Sequence, residues 1–450
     1  MERIHKFECN GKKVILDVFG GAVHVVDDLV YDIVDDIPTM TCEEIANKYS
    51  KYSKKNIIKA ASEIRQLIQD GDLFVDPIEE SQIHYNPQKI IKAMCLNVSH
   101  DCDLRCTYCF ASQGDFKGER KVMSLETGKK ALDFLVKNSG NRKNLEVDFF
   151  GGEPLLNFEV VKSLVFYGME LNEQYGKNIR FTLTTNGMGL NEERIDFINQ
   201  YMKNVVLSLD GRKKINDMMR PTRNQRGSYD IIIPKFKQLI KQRGDKEYYI
   251  RGTFTANNLD FGQDIKHFYD LGFKNVSMEP VVTDPKESYA LLPEHLSRVL
   301  KEYEDFAQEY ISIKKQDKDF LFFHYLIDLN GGPCLAKRSV GCGAGVEYIC
   351  VTPQEEIYPC HQFVGEKDFI IGSLDKGITK TGLVEEFRMA NVFHKKDCKE
   401  CWAKFYCSGG CHANAYYNNG SILKPYQLGC EMEKKRIECA ISILASLEEE

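Results

Sequence analysis

Apolar and polar positions divide the chain into three differently patterned regions. In residues 1–85, two short β-rich runs, 13–19 and 22–26, flank Gly20-Gly21, a dipeptide that suits a hairpin turn. Helical patterns follow at 29–34, 42–49 and 56–69. Thr41 can cap the second of these with Glu44 three residues on. The third places Ile57, Ala60, Ala61, Ile64, Leu67 and Ile68 on one face. Residues 72–76 read as a short return strand. A hairpin followed by about three helices predicts a small winged-helix-like α+β module, whose plain alternative is a structural N-terminal domain.

Residues 86–315 alternate β-rich runs with amphipathic ones, the signature of parallel βα units. The pattern predicts strands at 93–98, 145–150, 180–185, 205–209, 249–255 and 275–278. Helices are expected near 125–137, 158–175, 191–201, 229–243 and 260–271. No GxGxxG follows the first strand, so a partial (β/α)6 TIM-like barrel fits better than a dinucleotide-binding fold. Strand order is left open by the pattern. Residues 316–450 show little periodicity and are rich in Cys, Gly and Tyr, so metal ligation is expected to supply much of their folding energy. The fold class is therefore α/β, with a small module before the barrel and a cysteine-rich region after it.

Composition narrows the function classes. With 43% apolar and 28% charged residues, the 450-residue chain can bury sizeable cores and is not a disordered polymer. The net charge of −6 argues against broad nucleic-acid binding, which needs a basic face. No apolar run reaches the roughly 18 residues of a membrane span, and no signal-peptide core follows Met1, so a soluble cytoplasmic protein is expected. The 16 cysteines change the picture most, because ten of them fall between Cys334 and Cys439. In a cytoplasmic setting such clustering points to metal ligands or redox groups, with disulfides as the alternative.

The first cysteine motif is Cys102-Asp-Leu-Arg-Cys106-Thr-Tyr-Cys109, directly after the first barrel strand. Three thiolates can hold three irons of a [4Fe–4S] cube and leave the fourth open to another ligand. A structural zinc site, the alternative, is normally closed by four ligands, and no nearby His completes this one. The second strand is followed by Gly151-Gly152-Glu153-Pro154, the third by Thr184-Thr185-Asn186-Gly187 and the fourth by Ser208-Leu209-Asp210-Gly211. All lie at the carboxyl ends of predicted parallel strands, the face at which barrels collect their chemistry. Paired glycines let backbone approach a ligand, and Glu153 offers an acceptor to an ammonium; a tight turn is the bland alternative.

These motifs resemble those of the radical S-adenosylmethionine (SAM) superfamily. The resemblance implies that Cys102, Cys106 and Cys109 hold the catalytic [4Fe–4S] cluster and that Gly151, Gly152, Glu153 and Pro154 contact the SAM amino group. It also implies Ser208 and Arg220 at the SAM carboxylate, Asn186 nearby, and Tyr108 against the adenine. A turn at Asn186, a solvated Arg220 and a core Tyr108 are the structural alternatives. Further on, Cys398, Cys401, Cys407, Cys411 and Cys430, with Cys342 and Cys360 upstream, are similar to the SPASM extension of peptide-modifying radical SAM enzymes. By that likeness Cys398, Cys401, Cys407 and Cys430 hold one auxiliary cluster. Cys342, Cys360 and Cys411 hold another, with either Cys334 as fourth ligand or an open iron able to bind a substrate thiolate; soft sulfur suits such a site. Three [4Fe–4S] clusters are expected in all. One departure is Glu355 at a position where the SPASM pattern has glycine, so that turn is expected to form without a positive φ. Cys9, Cys42, Cys95, Cys350 and Cys439 read as buried small hydrophobes.

The N-terminal module looks like a RiPP recognition element, which captures leader peptides by adding a strand to an exposed sheet edge. Over its length the chain resembles the maturases of SCIFF (six cysteines in forty-five residues) peptides. That resemblance implies a 5′-deoxyadenosyl radical, a Cys-rich precursor peptide as partner, Cys thioether bridges as product, and an electron donor such as flavodoxin or ferredoxin, with no nucleic acid or membrane partner. Sulfatase-type maturation, epimerisation and carbon–carbon crosslinking are the enzymatic alternatives. Sulfatase maturases carry a catalytic Asp after the cysteine corresponding to Cys360, where this chain has His361. A zinc-binding scaffold is the non-catalytic alternative.

Overall fold

The computed structural model describes residues 2–82, 90–329 and 335–448. Strands β1 (Ile4–Cys9), β2 (Lys12–Asp17) and β3 (Val23–Val26) form an antiparallel sheet in that order. The expected hairpin is β2–β3, but the third strand is β1 rather than 72–76. Local turn chemistry explains the difference. Asn10 and Gly11 both take positive φ (51° and 74°), the turn whose twist matches paired strands. In 72–76, Phe74 at φ 56° breaks the extended backbone, and the Val75 amide donates to the buried Asp17 carboxylate (3.0 Å) instead of to a ladder.

Side chains alternate across this sheet. Ile4 and Ile15 face a core shared with the helices α1 (Asp28–Ile33), α2 (Cys42–Lys48) and α3 (Lys54–Asp70). Phe7, Cys9, Val14 and Leu16 face the opposite way, into the main core. Thr41 and Glu44 form the expected capping box at α2.

The six expected parallel strands are all present: β4 (Ala93–Ser99), β5 (Asn144–Gly151), β6 (Asn178–Thr185), β7 (Asn204–Ser208), β8 (Tyr248–Phe254) and β9 (Asn275–Pro280). They pair consecutively and in parallel, each reached through a helical crossover. The crossovers carry α4 (Leu125–Lys137), α5 (Phe158–Tyr175), α6 (Glu192–Tyr201), α7 (Lys213–Met219), α8 (Tyr229–Arg243) and α9 (Phe261–Asp270), and α10 (Leu296–Gln316) follows β9. This is an α/β fold on a central parallel sheet. Among the described residues no helix is long and apolar enough to cross a membrane.

Beyond residue 316 the chain is more regular than its pattern suggested. β10 (Leu321–Phe322) pairs with β9, and β11 (Tyr348–Val351) adds in parallel to β4. β12 (Glu356–Tyr358), β13 (Gly372–Ser373) and β14 (Gly377–Ile378) continue the sheet antiparallel. The C-terminal helix, Gln427–Glu448, packs on α10 and β1. Its consecutive positions Cys439, Ala440, Ile441, Ser442 and Ile443 are all buried, so no single apolar stripe announces it. It ties the chain's two ends together: His5 pairs with Glu438 (3.0 Å), and the Cys9 and Cys439 sulfurs are 3.9 Å apart.

The turn between β11 and β12 corrects one expectation. Glu355 does take a positive φ, 66°, despite having a side chain. Its carboxylate accepts from Thr127 Oγ1 and Lys130 Nζ of α4, each at 3.2 Å, so the side chain braces the turn it strains. Glu355→Ala and Glu355→Gly both lose this brace, but only the alanine keeps the left-handed cost of about 1–2 kcal/mol. The glycine variant is therefore expected to be the more stable by about that amount in urea unfolding; equal midpoints would contradict a strained turn.

Candidate active site

β4 delivers the chain into the Cys102–Cys109 loop, and the segment after α7 clamps it. Arg105 N donates to Pro221 O (2.7 Å), Thr107 N to Met219 O (2.9 Å) and Arg223 Nη2 to Cys102 O (2.6 Å). Behind the loop stands the end of β5. A Cβ on Gly151, which has φ 131°, would lie 2.3 Å from Ser99 O, and one on Gly152 would lie 2.2 Å from Asp101 O. The backbone that these glycines admit is that of the cysteine loop itself.

The loop faces a cavity of about 450 Å³ at the carboxyl ends of the strands. Cys102, Cys106, Tyr108, Cys109, Gly151, Gly152, Glu153, Asn186, Ser208 and Arg220 all line it. Pro154 does not; it opens the 3₁₀ turn Pro154–Asn157, capped by Glu153. Burial raises all three thiol pKa values, that of Cys106 to about 12. They are held as protonated thiols until a metal displaces the protons.

Glu153 is gripped by the protein. Oε1 accepts from Thr185 Oγ1 (2.7 Å) and Leu155 N (3.0 Å), and Oε2 from Asn186 N (2.8 Å). Burial, with Asp103 nearby, lifts its pKa to about 7. Asn186 Nδ2 donates to Asp103 Oδ1 (2.7 Å) and approaches Cys102 Sγ (3.6 Å). Tyr108 is fixed from both sides: its hydroxyl donates to the Asp210 carboxylate (2.7 Å) and accepts from Arg220 Nη1 (2.8 Å). Burial opposes the Arg220 charge, but Cys106, Tyr108 and Asp210 hold it. Arg220 Nε is buried without a partner among the described residues, and Arg220 and Ser208 both line the cavity. An unsatisfied guanidinium N–H in such a cavity fits an anionic group such as a carboxylate.

Sequence reasoning passed over Asp210, which anchors Tyr108, and Arg251 and Glu279, which line the cavity from β8 and β9. Glu279, at the end of β9, was discoverable from the rule that used the other strand ends, whereas Arg251 lies within β8.

The C-terminal cysteines fall into two neighbourhoods. Cys342, Cys360 and Cys411 interact electrostatically with one another, as do Cys398, Cys401, Cys407 and Cys430. Cys334 lies outside the described residues. Cys342 and Cys411 are exposed, whereas Cys398 is buried. Cys411 lines the same cavity as the Cys102–Cys109 loop. Among the described residues no three His, Cys, Asp or Glu side chains are grouped to hold a single metal ion. In a cubane each thiolate binds a different iron, so a cluster needs no such convergence. Cys9, Cys95, Cys350 and Cys439 are buried as expected, but Cys42 is only half-buried, and Arg65 Nη1 lies 3.1 Å from its sulfur. Cys42, the first residue of α2, thus packs at the edge of the N-terminal core and takes a polar contact from that guanidinium as well.

Residues 96–245 match the family described as the Radical SAM superfamily. They form a radical SAM domain, the module of an enzyme family. The chain is similar to a cysteine-type anaerobic sulfatase-maturating enzyme of Clostridium novyi, with 27% identity over 79% of this chain and 96% of that one. In fold it is similar to native anSMEcpe with bound AdoMet and a peptide (TM-score 0.63, 20% identity, 80% of this chain and 99% of that chain). It is also similar in fold to Streptococcus suis SuiB (TM-score 0.52, 17% identity, 94% of this chain and 97% of that chain).

The radical SAM domain yields two predictions. Glu153→Gln replaces an oxygen that accepts a protein donor by an NH₂ with nothing to donate to, at a cost of about 1–3 kcal/mol; urea unfolding of the metal-free protein measures it. The second concerns Asp148 on β5, whose pKa burial raises from 3.8 to about 7, against the Thr184 hydrogen bond and Arg251. Because the folded value exceeds the unfolded one, this stabilising contribution is full below about pH 4 and is lost as pH rises through about 7. Asp148→Asn should flatten the fall in unfolding free energy over that window, and an unchanged slope would remove Asp148 as its source.

Proposed function

We propose that this chain is a radical SAM peptide maturase that installs intramolecular Cys thioether bridges in a ribosomally made, Cys-rich precursor peptide. One observation carries the reading: Cys102, Cys106, Cys109 and Cys411 all line a single cavity. A peptide in that cavity would meet the site of hydrogen abstraction and a sulfur-binding site at once.

Cys102, Cys106 and Cys109 would hold the SAM-binding [4Fe–4S] cluster. Cys398, Cys401, Cys407 and Cys430 would hold a closed auxiliary cluster, and Cys342, Cys360 and Cys411 one with an open iron. The exposure of Cys342 and Cys411 suits that open site. Bound there, these groups would supply one-electron cleavage of SAM to a 5′-deoxyadenosyl radical, a seat for a thiolate and an acceptor for one electron. The chain's residues do the positioning. Arg220 and Ser208 would take the SAM carboxylate, and Tyr108, locked between Asp210 and Arg220, would flank the adenine. Glu153 holds the β5 and β6 ends in register and would offer its remaining lone pairs to the ammonium. Each bridge removes one C–H and one S–H hydrogen from the peptide.

The N-terminal sheet would seat the leader. β3 is its outer strand, with Val25 47% exposed, which leaves an edge to which an extended peptide can add. A flavodoxin- or ferredoxin-like donor would supply electrons, and the cytoplasm is the expected compartment.

Sulfatase-type maturation is the second reading, favoured by the similarity to the Clostridium novyi enzyme over nearly its whole length. Against it stands His361, which cannot serve as a carboxylate would. Burial, with Arg251, lowers its pKa to about 4, its Nδ1 is 2.9 Å from the Tyr348 hydroxyl, and its ring lies against Phe110 and Phe150.

The test is anaerobic reconstitution followed by incubation with SAM, a reductant and Cys-rich peptides bearing candidate leaders. Expected are about 12 irons per chain and a product lacking two hydrogens and one free thiol per bridge. Cys411→Ala should still cleave SAM yet form no bridge. An aldehyde formed in a sulfatase-derived peptide, with no bridge in any Cys-rich one, would establish the second reading instead.

A further inference from the structure

Lysine is rarely buried without a partner, because an isolated ammonium is costly to desolvate. Among the described residues only Lys395 and Lys404 are buried lysines (0% and 3% exposed), and both lie in the C-terminal cysteine array. Lys404 has its own surroundings. Its ammonium sits over the rings of Phe19 and Phe405, at 4.8 and 5.4 Å, and bonds Lys399 O. Lys395 is different. Its Nζ donates to Gly409 O (2.7 Å), in the loop that joins Cys407 of one set to Cys411 of the other. The lysine itself opens the turn leading to Cys398, whose amide donates to Lys395 O (3.0 Å).

The groups that act electrostatically on this ammonium come from both cysteine sets: Cys398 and Cys407 from one, Cys411 and Cys342 from the other. No carboxylate is among them. Burial works against the Lys395 charge, and burial also keeps Cys398, Cys407 and Cys411 as thiols. A buried cation bonded to one neutral carbonyl needs anionic neighbours, and these cysteines become such neighbours once metal displaces their protons.

We propose that Lys395 is the shared counter-cation of the two auxiliary sites, a positioning residue that Gly409 holds between them so that both accept an electron more readily. The proposal rests on the reading that these cysteines bind iron–sulfur clusters. Reduction adds negative charge, and the potential of such a cluster is set in part by charge and hydrogen bonding around its sulfurs. An ammonium common to both sites stabilises the extra electron on either. The bond to Gly409 also fixes the spacing of Cys407 and Cys411.

Three variants separate charge from shape: Lys395→Arg keeps the charge, Lys395→Gln keeps a donor without it, and Lys395→Met keeps only the apolar stem. Each is reconstituted in the full chain, assayed for iron and sulfide, and titrated electrochemically with EPR detection. In Gln and Met, the ratio of reduced to oxidised auxiliary cluster at fixed potential should fall at least tenfold, a downward shift of about 59 mV for one electron. The Cys102–Cys109 cluster should keep its potential, and Arg should match wild type throughout. Loss of auxiliary iron in Gln and Met but not in Arg would also support the proposal, because charge is what separates them. Full iron content with wild-type potentials in Gln would overturn it, as would equal loss of iron in all three, which would mark a packing role. Wild-type protein with no auxiliary signal would instead reject the cluster reading, and the proposal with it.

Discussion

Contact between the cysteine loop and the end of β5 is the constraint on which the site depends. The loop backbone at Ser99 and Asp101 comes so near Gly151 and Gly152 that a single methyl group on either would collide with a carbonyl oxygen. The next residue, Glu153, turns that steric fit into a polar clamp by reaching across to Thr185 and Asn186 at the end of β6. Asn186 then returns to Asp103 in the cysteine loop. Three strand ends are thus closed into one ring of contacts, and the direction of the three thiols follows from it. The GGEP segment therefore shapes the cysteine loop before any ligand arrives, and the proposed role toward SAM would come on top of that structural one.

The sheet extends this logic to the rest of the chain. β11 lies against β4, so the strand leading toward Cys360 is hydrogen-bonded to the strand leading into Cys102. The cysteines of the C-terminal region are placed relative to the first loop by a shared sheet rather than by a flexible tether. The N-terminal module is fixed in a similar way at the far end. His5 of β1 stacks on Trp402, with ring centroids 3.7 Å apart, and pairs with Glu438, while Trp402 directly follows Cys401. A leader docked on that module would thereby have a defined position relative to the cysteine array, which raises the effective concentration of whatever it carries at the cavity.

Much of this was legible in the sequence wherever one local rule decides the outcome. The six parallel strands announced themselves through β-rich runs spaced by helical ones, and the cysteine loop and GGEP segment through fixed spacing at strand ends. What escaped was decided by contacts distant in sequence or by a signal passed over. β1 carried a visible cue in Asn10-Gly11, whereas the C-terminal helix carried little, being buried around much of its circumference. Glu355 takes a glycine's conformation because Thr127 and Lys130, more than 200 residues earlier, hold its side chain. Arg251 and Glu279 belong to no short motif; Arg251 enters the site from within β8, opposite Ser208 of β7, and Glu279 from the end of β9.

On the proposed assignment, the two C-terminal cysteine sets differ in the exposure of particular members rather than throughout, since burial also raises the thiol pKa of Cys360 and Cys411. Cys398 is buried while Cys401, Cys407 and Cys430 are half-buried, and burial raises the pKa of Cys398 to about 12 and that of Cys430 to about 11. Cys342 and Cys411 are exposed, and Cys411 opens on the cavity. A site meant only to carry electrons gains from the first environment, because enclosure prevents ligand exchange. A site meant to hold a substrate sulfur requires the second, because exchange is its function. On the proposed assignment, the physical difference between the two sets is that Cys411 of one of them opens on the cavity.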